Sequence, residues 1–147
     1  MFDKKNHYEI ILNICKEVLQ ELVCDFVGFA FQNMNSPDIQ WHIAAGNNNE
    51  KYKRIIVRYG KGIAGRVIST GTPITIEDFP QEIIGKALEY PIMLAEKLLY
   101  SFAVPIQLNG ISKGVLLVGQ RTNKPLTEPQ KKAVLRAARM IEELIRN

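Results

Sequence analysis

The sequence has no long hydrophobic run, and no window approaches the roughly 18 consecutive apolar residues that a membrane-spanning helix needs. Its first residues, MFDKKNHYEIILN, lack the apolar stretch and the small-residue cleavage site of a secretory leader. Cysteine is scarce, since only Cys15 and Cys24 occur, and they form neither a C-x-x-C motif nor a Cys/His metal-ligand spacing. We therefore expect a cytoplasmic protein with no membrane segment, no zinc site and no redox pair.

Other absences limit the number of domains and the kinds of partner that we expect. There is no internal repeat, no low-complexity tract and no Pro/Ser-rich linker, so we expect a single domain over residues 1–147. The net charge is only +4, from 19 basic and 15 acidic residues that are interleaved along the chain. No basic arm, zinc finger or RNA-binding aromatic run is present. We therefore expect a solvated surface and no nucleic-acid partner.

The N-terminal part of the sequence predicts a helix followed by a hairpin. The stretch YEIILNICKEVLQELV repeats apolar residues at helical spacing, with Cys15 on the apolar face. The stretches DFVGFAFQ and IQWHIAA alternate between two faces as strands do, and turn residues separate them. In the second strand this alternation predicts that Ile39, Trp41 and Ile43 share one face.

The C-terminal part predicts a second hairpin and a closing helix. Asn109-Gly110 separates two apolar strands, and this dipeptide suits the positive φ angles of a tight hairpin turn. Thr127 and Gln130 have the spacing of a helix capping box. The order helix, hairpin, irregular middle, hairpin, helix predicts an α+β fold with a central antiparallel sheet of five to six strands. The terminal helices should cover one face and residues 46–98 the other.

The stretch YGKGIAGRVISTG contains a literal G-x-G-x-x-G at Gly60, Gly62 and Gly65. In dinucleotide-binding proteins this pattern joins a buried parallel strand to a long crossover helix. Here the following helix can run only over Ile63–Ser69, because Thr70-Gly71-Thr72-Pro73 ends it, and the remaining strands are joined by hairpins. We therefore interpret the glycines as a tight turn that starts a short helix close against the sheet.

The stretches GKGIAGRVISTGTPITIED and SFAVPIQLNGISKGVLLVGQR, with the closing helix, resemble a GAF domain over nearly the whole chain. The resemblance implies a ligand pocket under the middle segment, and terminal helices that often form homodimers. Free methionine sulfoxide reductases of this family carry cysteines in the middle and late segments, whereas Cys15 and Cys24 lie at the first helix and its exit. We therefore expect no enzyme.

Trp41, GKGIAG and EYPIMLAEKL are similar to the NreA-type nitrate receptors, a group of stand-alone GAF proteins. This resemblance implies a nitrate ligand without any metal or other cofactor. It also implies that the protein modulates an oxygen-sensing histidine kinase of a two-component system that controls nitrate/nitrite respiration. The positions that match the ligand site of this group are Trp41, Ile63, Ala64, Tyr90, Pro91, Ile92 and Met93.

The chemistry of these positions suits a small anion. Pro91 fits the first turn of a helix, which predicts free N–H groups at Ile92, Met93 and Leu94, and the helix that begins near Ile63 supplies a second set. Two helix N-termini at an apolar hole form an anion site without Lys or Arg. Without the resemblance, the same positions fit ordinary core residues better than an anion site. Two alternatives stay open, a methionine sulfoxide reductase-like enzyme and a GAF dimerisation module.

Overall fold

The structure, a computed structural model, describes residues 1–146. Its strands are β1 (Phe26–Gln32), β2 (Asp38–Ala45), β3 (Ile56–Arg58), β4 (Ile74–Ile76), β5 (Tyr100–Leu108) and β6 (Ile111–Gln120). Its α-helices are α1 (Lys4–Leu22), α2 (Gly62–Thr70), α3 (Pro91–Ala95) and α4 (Glu128–Arg146), and 3-10 turns span Lys51–Arg54 and Ala87–Glu89. The strands form one antiparallel sheet in the order β3-β2-β1-β6-β5-β4. The predicted α+β class and sheet are confirmed.

Helices α1 and α4 pack on one face of this sheet, as predicted, and share a buried apolar core with it. The N–H of Thr127 donates to Gln130 Oε1 (2.8 Å), and the N–H of Gln130 donates to Thr127 Oγ1 (3.3 Å), which completes the predicted capping box. Neither helix, nor any other helix in residues 1–146, is long and apolar enough to cross a membrane. The buried positions of α4 are Val134, Ala137, Ala138, Ile141 and Ile145.

The turn between β5 and β6 has the predicted geometry. Asn109 and Gly110 have φ angles of 54° and 78°, and the strands on either side pair from Leu108 and Ile111 onward. Both central residues are therefore left-handed, as a two-residue hairpin turn requires.

Strand β2 does not keep one alternation along its length. Phe29 pairs with Ile43 while the next residue, Ala30, pairs with Trp41, so His42 is an extra residue in a β-bulge. Ile43 consequently lies in the core under α1 and α4, whereas Trp41 lies in the core on the opposite face. The prediction that Ile39, Trp41 and Ile43 share a face is therefore wrong for Ile43, because the bulge reverses the alternation.

The opposite face is covered by α2, α3 and the segments around them. A Cβ atom on Gly65 would lie 2.2 Å from the carbonyl oxygen of Arg58, so only glycine lets α2 pass this close to β3. Gly71 ends α2 in the left-handed region (φ 70°). The predicted short helix close against the sheet is confirmed, one residue longer at each end.

Candidate functional site

The residues predicted to bind the ligand lie together on the face opposite α1 and α4. Six of the seven belong to one buried cluster, and Pro91 is half-buried at the start of α3. Trp41 is 1% exposed, and Met93 is fully buried. The six buried residues are Trp41, Ile63, Ala64, Tyr90, Ile92 and Met93.

Helix α2 begins at Gly62 without a side-chain cap. The N–H groups of Ile63 and Ala64, in its first turn, have no hydrogen-bond acceptor within the part of the chain that is described. Both residues are almost fully buried, at 2% and 1% exposure. A buried N–H without an acceptor costs free energy, so these two donors would stabilise an acceptor placed at the start of α2.

The first turn of α3 offers fewer free donors than predicted. The N–H groups of Met93 (3.0 Å) and Leu94 (3.2 Å) both donate to the carbonyl oxygen of Tyr90. The prediction that they are free is wrong, because Tyr90 is the N-cap residue of α3: its carbonyl accepts the first regular i→i−4 bond, from Leu94, and an i→i−3 bond from Met93. Only the N–H of Ile92 lacks an acceptor within residues 1–146, and Pro91 has none to offer.

The two helix N-termini adjoin each other. Gly62 has a φ of 63°, and a Cβ at its position would lie 3.4 Å from the carbonyl oxygen of Glu89, two residues before Pro91. The positive ends of the two helices therefore lie close to each other.

Arg66 lies next to the site, and the sequence analysis did not include it. Its Nη1 donates a hydrogen bond to the hydroxyl of Tyr90, and its guanidinium carbon is 5.6 Å from the centre of the Tyr90 ring. The Tyr90 hydroxyl in turn donates to the carbonyl oxygen of Ile84 (2.6 Å), and Phe79 packs edge-on against the ring. The positive charge of Arg66 therefore lies beside the Tyr90 side chain. The available signal was the position of Arg66 on α2, three residues after Ile63, which places both on one side of that helix.

A buried ion pair lies at the other end of α3. Glu96 is fully buried, and its Oε1 accepts from Arg121 Nη2 (2.6 Å) and from the N–H of Asn48 (2.9 Å). Arg121 also donates to the carbonyl oxygens of Glu96 (2.8 Å), Asp25 (3.1 Å) and Gly46 (3.0 Å). The other carboxylate oxygen, Oε2, has no hydrogen-bond partner among residues 1–146. These contacts tie the end of α3 to the chain before β1 and after β2.

The two cysteines lie on the helix-covered face of the sheet, away from Trp41. Burial raises the pKa of Cys15 to about 12 and that of Cys24 to about 11. Both thiols therefore stay protonated near neutral pH and are poor nucleophiles. In the described residues, no group of three or more His, Cys, Asp or Glu side chains could hold a metal ion.

A scan against protein-family models and a search of curated proteins found no match. Among solved structures, the chain is similar to an NreA protein from Staphylococcus aureus that is mutated in its nitrate binding site. The two are 33% identical with a TM-score of 0.79, and the match covers 86% of this chain and 94% of that one.

Two more distant structures share the fold alone. One is the GAF domain of a phosphoenolpyruvate-protein phosphotransferase from Acinetobacter, at 12% identity and a TM-score of 0.76 over 92% of this chain and 78% of that one. The other is a free methionine-R-sulfoxide reductase from Neisseria meningitidis, at 16% identity and a TM-score of 0.77 over 96% of this chain and 78% of that one.

Proposed function

This chain belongs to the NreA family of GAF-domain proteins, and from that premise we propose that it is a nitrate sensor. The observation that carries the proposal is the set of buried N–H groups at Ile63, Ala64 and Ile92, which have no acceptor in residues 1–146. They stand at the adjoining positive ends of two helices. An anion placed there would accept hydrogen bonds that the folded chain otherwise forgoes.

The apolar surroundings select the kind of anion. A doubly charged, strongly hydrated ion such as sulfate loses too much hydration free energy on entering a site walled by Trp41, Ile92 and Met93. A planar, monovalent and weakly hydrated oxyanion loses less. The indole of Trp41 supplies a flat wall, and nitrate is the ion that matches both its shape and the donors.

The size of the ligand limits the affinity. Four heavy atoms at about 1.5 kcal/mol each give at most about 6 kcal/mol, which corresponds to a dissociation constant no tighter than roughly 10⁻⁵–10⁻⁴ M. We therefore expect a dissociation constant between about 10⁻⁵ M and 10⁻³ M, in the range of a sensor for an abundant nutrient ion.

Six of the seven site residues are closed to solvent, so nitrate enters only when the segment that carries Tyr90 and α3 opens. A ligand that binds one arrangement of this segment better than another shifts the population between them. We propose that a sensor histidine kinase distinguishes these arrangements, and that the protein acts without catalysis of its own. A homodimer through α1 and α4 is part of the same proposal.

Trp41 is the sole tryptophan of the chain, so its fluorescence reports on the site without any substitution. We expect a saturable fluorescence change with nitrate and none with chloride or sulfate at the same ionic strength. In a thermal or urea unfolding series, nitrate at about 100 times its dissociation constant should add about 2.7 kcal/mol to the free energy of unfolding. Nitrite in the same series measures selectivity.

Two variants localise the effect. Trp41→Ala should abolish most of the nitrate-dependent stabilisation. Phe29→Ala removes an equally buried ring from the opposite face of the sheet, so it should lower the basal stability but keep the nitrate increment. If nitrate stabilises Trp41→Ala as much as the unaltered protein, the proposed site is wrong.

The alternatives have tests of their own. A reductase predicts turnover of free methionine sulfoxide with a thiol reductant, lost on changing Cys15 or Cys24 to Ser. The raised pKa values of these thiols and their place under α1 and α4 weigh against it. A dimerisation module predicts stability that depends on protein concentration and on no small anion.

A further inference from the structure

Residues 51–66 are an exception to the interleaving of basic and acidic residues along the chain. This segment carries six basic residues and no acidic one, which exceeds the net charge of the entire chain (+4). Lys53 forms an ion pair with Glu50 (2.9 Å), and Arg66 contacts Tyr90. The other four form no ion pair within the described part of the chain, and all four are exposed: Lys51, Arg54, Arg58 and Lys61.

The same segment contains the edge strand β3. This strand pairs with β2 alone. The N–H of Trp41 donates to the carbonyl oxygen of Ile55 (3.3 Å), so Trp41 and Ile55 are a hydrogen-bonded pair and the next pair, Gln40 and Ile56, is a non-hydrogen-bonded one. Because antiparallel pairs alternate, the N–H and C=O of Ile56 and the N–H of Arg58 point away from the sheet. The Ile56 side chain is 52% exposed and that of Tyr59 is 53% exposed.

We propose that β3 is a docking edge for an extended, acidic segment of a partner protein. The segment would add a strand to the sheet through the outward backbone groups of Ile56 and Arg58. Carboxylates at alternate positions of the segment would lie on the face of the sheet shared by Ile56 and Arg58, and the apolar side chains between them would lie on the face of Val57. Charge complementarity selects this partner, because an uncharged or basic strand would leave four cations unpaired or opposed.

Hydrogen bonds and close packing connect the docking edge β3 to the start of α2. The N–H of Lys61 donates to the carbonyl oxygen of Arg58 (2.9 Å), and the N–H of Gly60 donates to that of Gly65 (2.9 Å). A Cβ at Gly62 would lie 3.2 Å from Val57 Cγ1. A change at the free amides of Ile63 and Ala64 therefore reaches β3 directly. In this one respect the inference rests on the proposed nitrate site, whereas the docking itself does not.

Fluorescence anisotropy with a labelled peptide of about ten residues that alternates Glu with Val or Thr tests the docking. We expect saturable binding that weakens with salt, and none for the same peptide with Lys in place of Glu. Reversing Arg54, Arg58 and Lys61 to Glu should weaken binding at least about tenfold. The matched control reverses three exposed cations of α4, Lys132, Arg136 and Arg139, and should change it less than about twofold.

Three results would overturn the inference. One is that the acidic peptide fails to bind. Another is equal binding by a peptide N-methylated at alternate residues, which cannot pair as a strand. A third is tight binding of single-stranded oligonucleotide at the same cations without peptide binding, which would make this edge a nucleic-acid surface.

Repeating the peptide titration in nitrate and in chloride at equal ionic strength tests the link to the ligand. If the peptide binds and nitrate leaves its affinity unchanged, the docking edge stands and its coupling to the anion site is wrong. If nitrate binds, by Trp41 fluorescence, but the peptide does not, the proposed function stands and the docking edge is refuted.

Discussion

The ion pair between Glu96 and Arg121 allows a sharp test of how α3 is held. Replacing Arg121 by Ala removes the donor at 2.6 Å from Glu96 Oε1, and leaves the buried carboxylate with only the N–H of Asn48. The carbonyl oxygens of Asp25, Gly46 and Glu96 lose their donor as well. Stranding a fully buried charge typically costs about 3–5 kcal/mol. We expect Arg121→Ala to lower the free energy of unfolding at pH 7 by that amount.

Urea unfolding measures this cost, and with a slope of about 1–3 kcal/mol/M the midpoint should fall by roughly 2 M. The cost should come from the stranded charge, so in a Glu96→Gln background the same Arg121→Ala change should cost at least about 1 kcal/mol less. Lys124→Ala, an exposed change in the loop that follows β6, should cost less than about 0.5 kcal/mol. If the two changes at Glu96 and Arg121 add within about 0.5 kcal/mol, the reasoning is refuted.

Further predictions concern the thiols, one histidine and one glycine. Burial raises the pKa of Cys15 to about 12 and that of Cys24 to about 11. Both thiols should therefore resist a thiol reagent at pH 8 in the folded protein and react once urea unfolds it. Rapid labelling of the native state would contradict their burial. Burial, with Lys4 nearby, lowers the pKa of His42, so the unfolded chain takes up the proton first and stability should fall as the pH drops below about 6.5. His42→Gln should flatten this loss between pH 7.5 and 5.5 in urea midpoints, and an unchanged slope would assign the loss to other groups. Gly65→Ala should lower the free energy of unfolding by about 1–3 kcal/mol in spite of the better helix propensity of alanine, because the new methyl group would lie 2.2 Å from the carbonyl oxygen of Arg58. A stabilised variant in thermal unfolding would show that α2 can move away from β3.

Local patterns predicted the elements whose structure depends on neighbouring residues. The buried stripe of α4, its capping box at Thr127 and the Asn109-Gly110 turn all follow from spacings of a few residues, and all are present. The short span of α2 followed in the same way from its glycines. The choice of faces followed too, because each long terminal helix has an apolar stripe that must be buried against the sheet.

What the sequence did not predict depends on contacts between distant residues. The bulge at His42 arises from the pairing of β2 with β1, and alternation within β2 alone gives no sign of it. Glu96 and Arg121 are ordinary charged residues in the sequence, and become a buried pair only when the ends of α3 and β6 meet. The amides of Met93 and Leu94 were predicted free because the sequence analysis did not count the carbonyl of the N-cap residue, Tyr90, as an acceptor for the first turn.

The extra residue at His42 changes which positions of β2 face each layer of the protein. Before it, the odd-numbered residues Ile39 and Trp41 lie in the layer of the proposed anion site. After it, the odd-numbered residues Ile43 and Ala45 lie in the layer under the long helices, and Ala44 lies on the Trp41 side. Side chains two residues apart share a face in a regular strand, so the bulge is what places Trp41 and Ile43 on opposite faces. The backbone irregularity at position 42, and not the imidazole, therefore sends the indole to its layer. We expect His42→Gln, which keeps the extra residue, to keep nitrate binding.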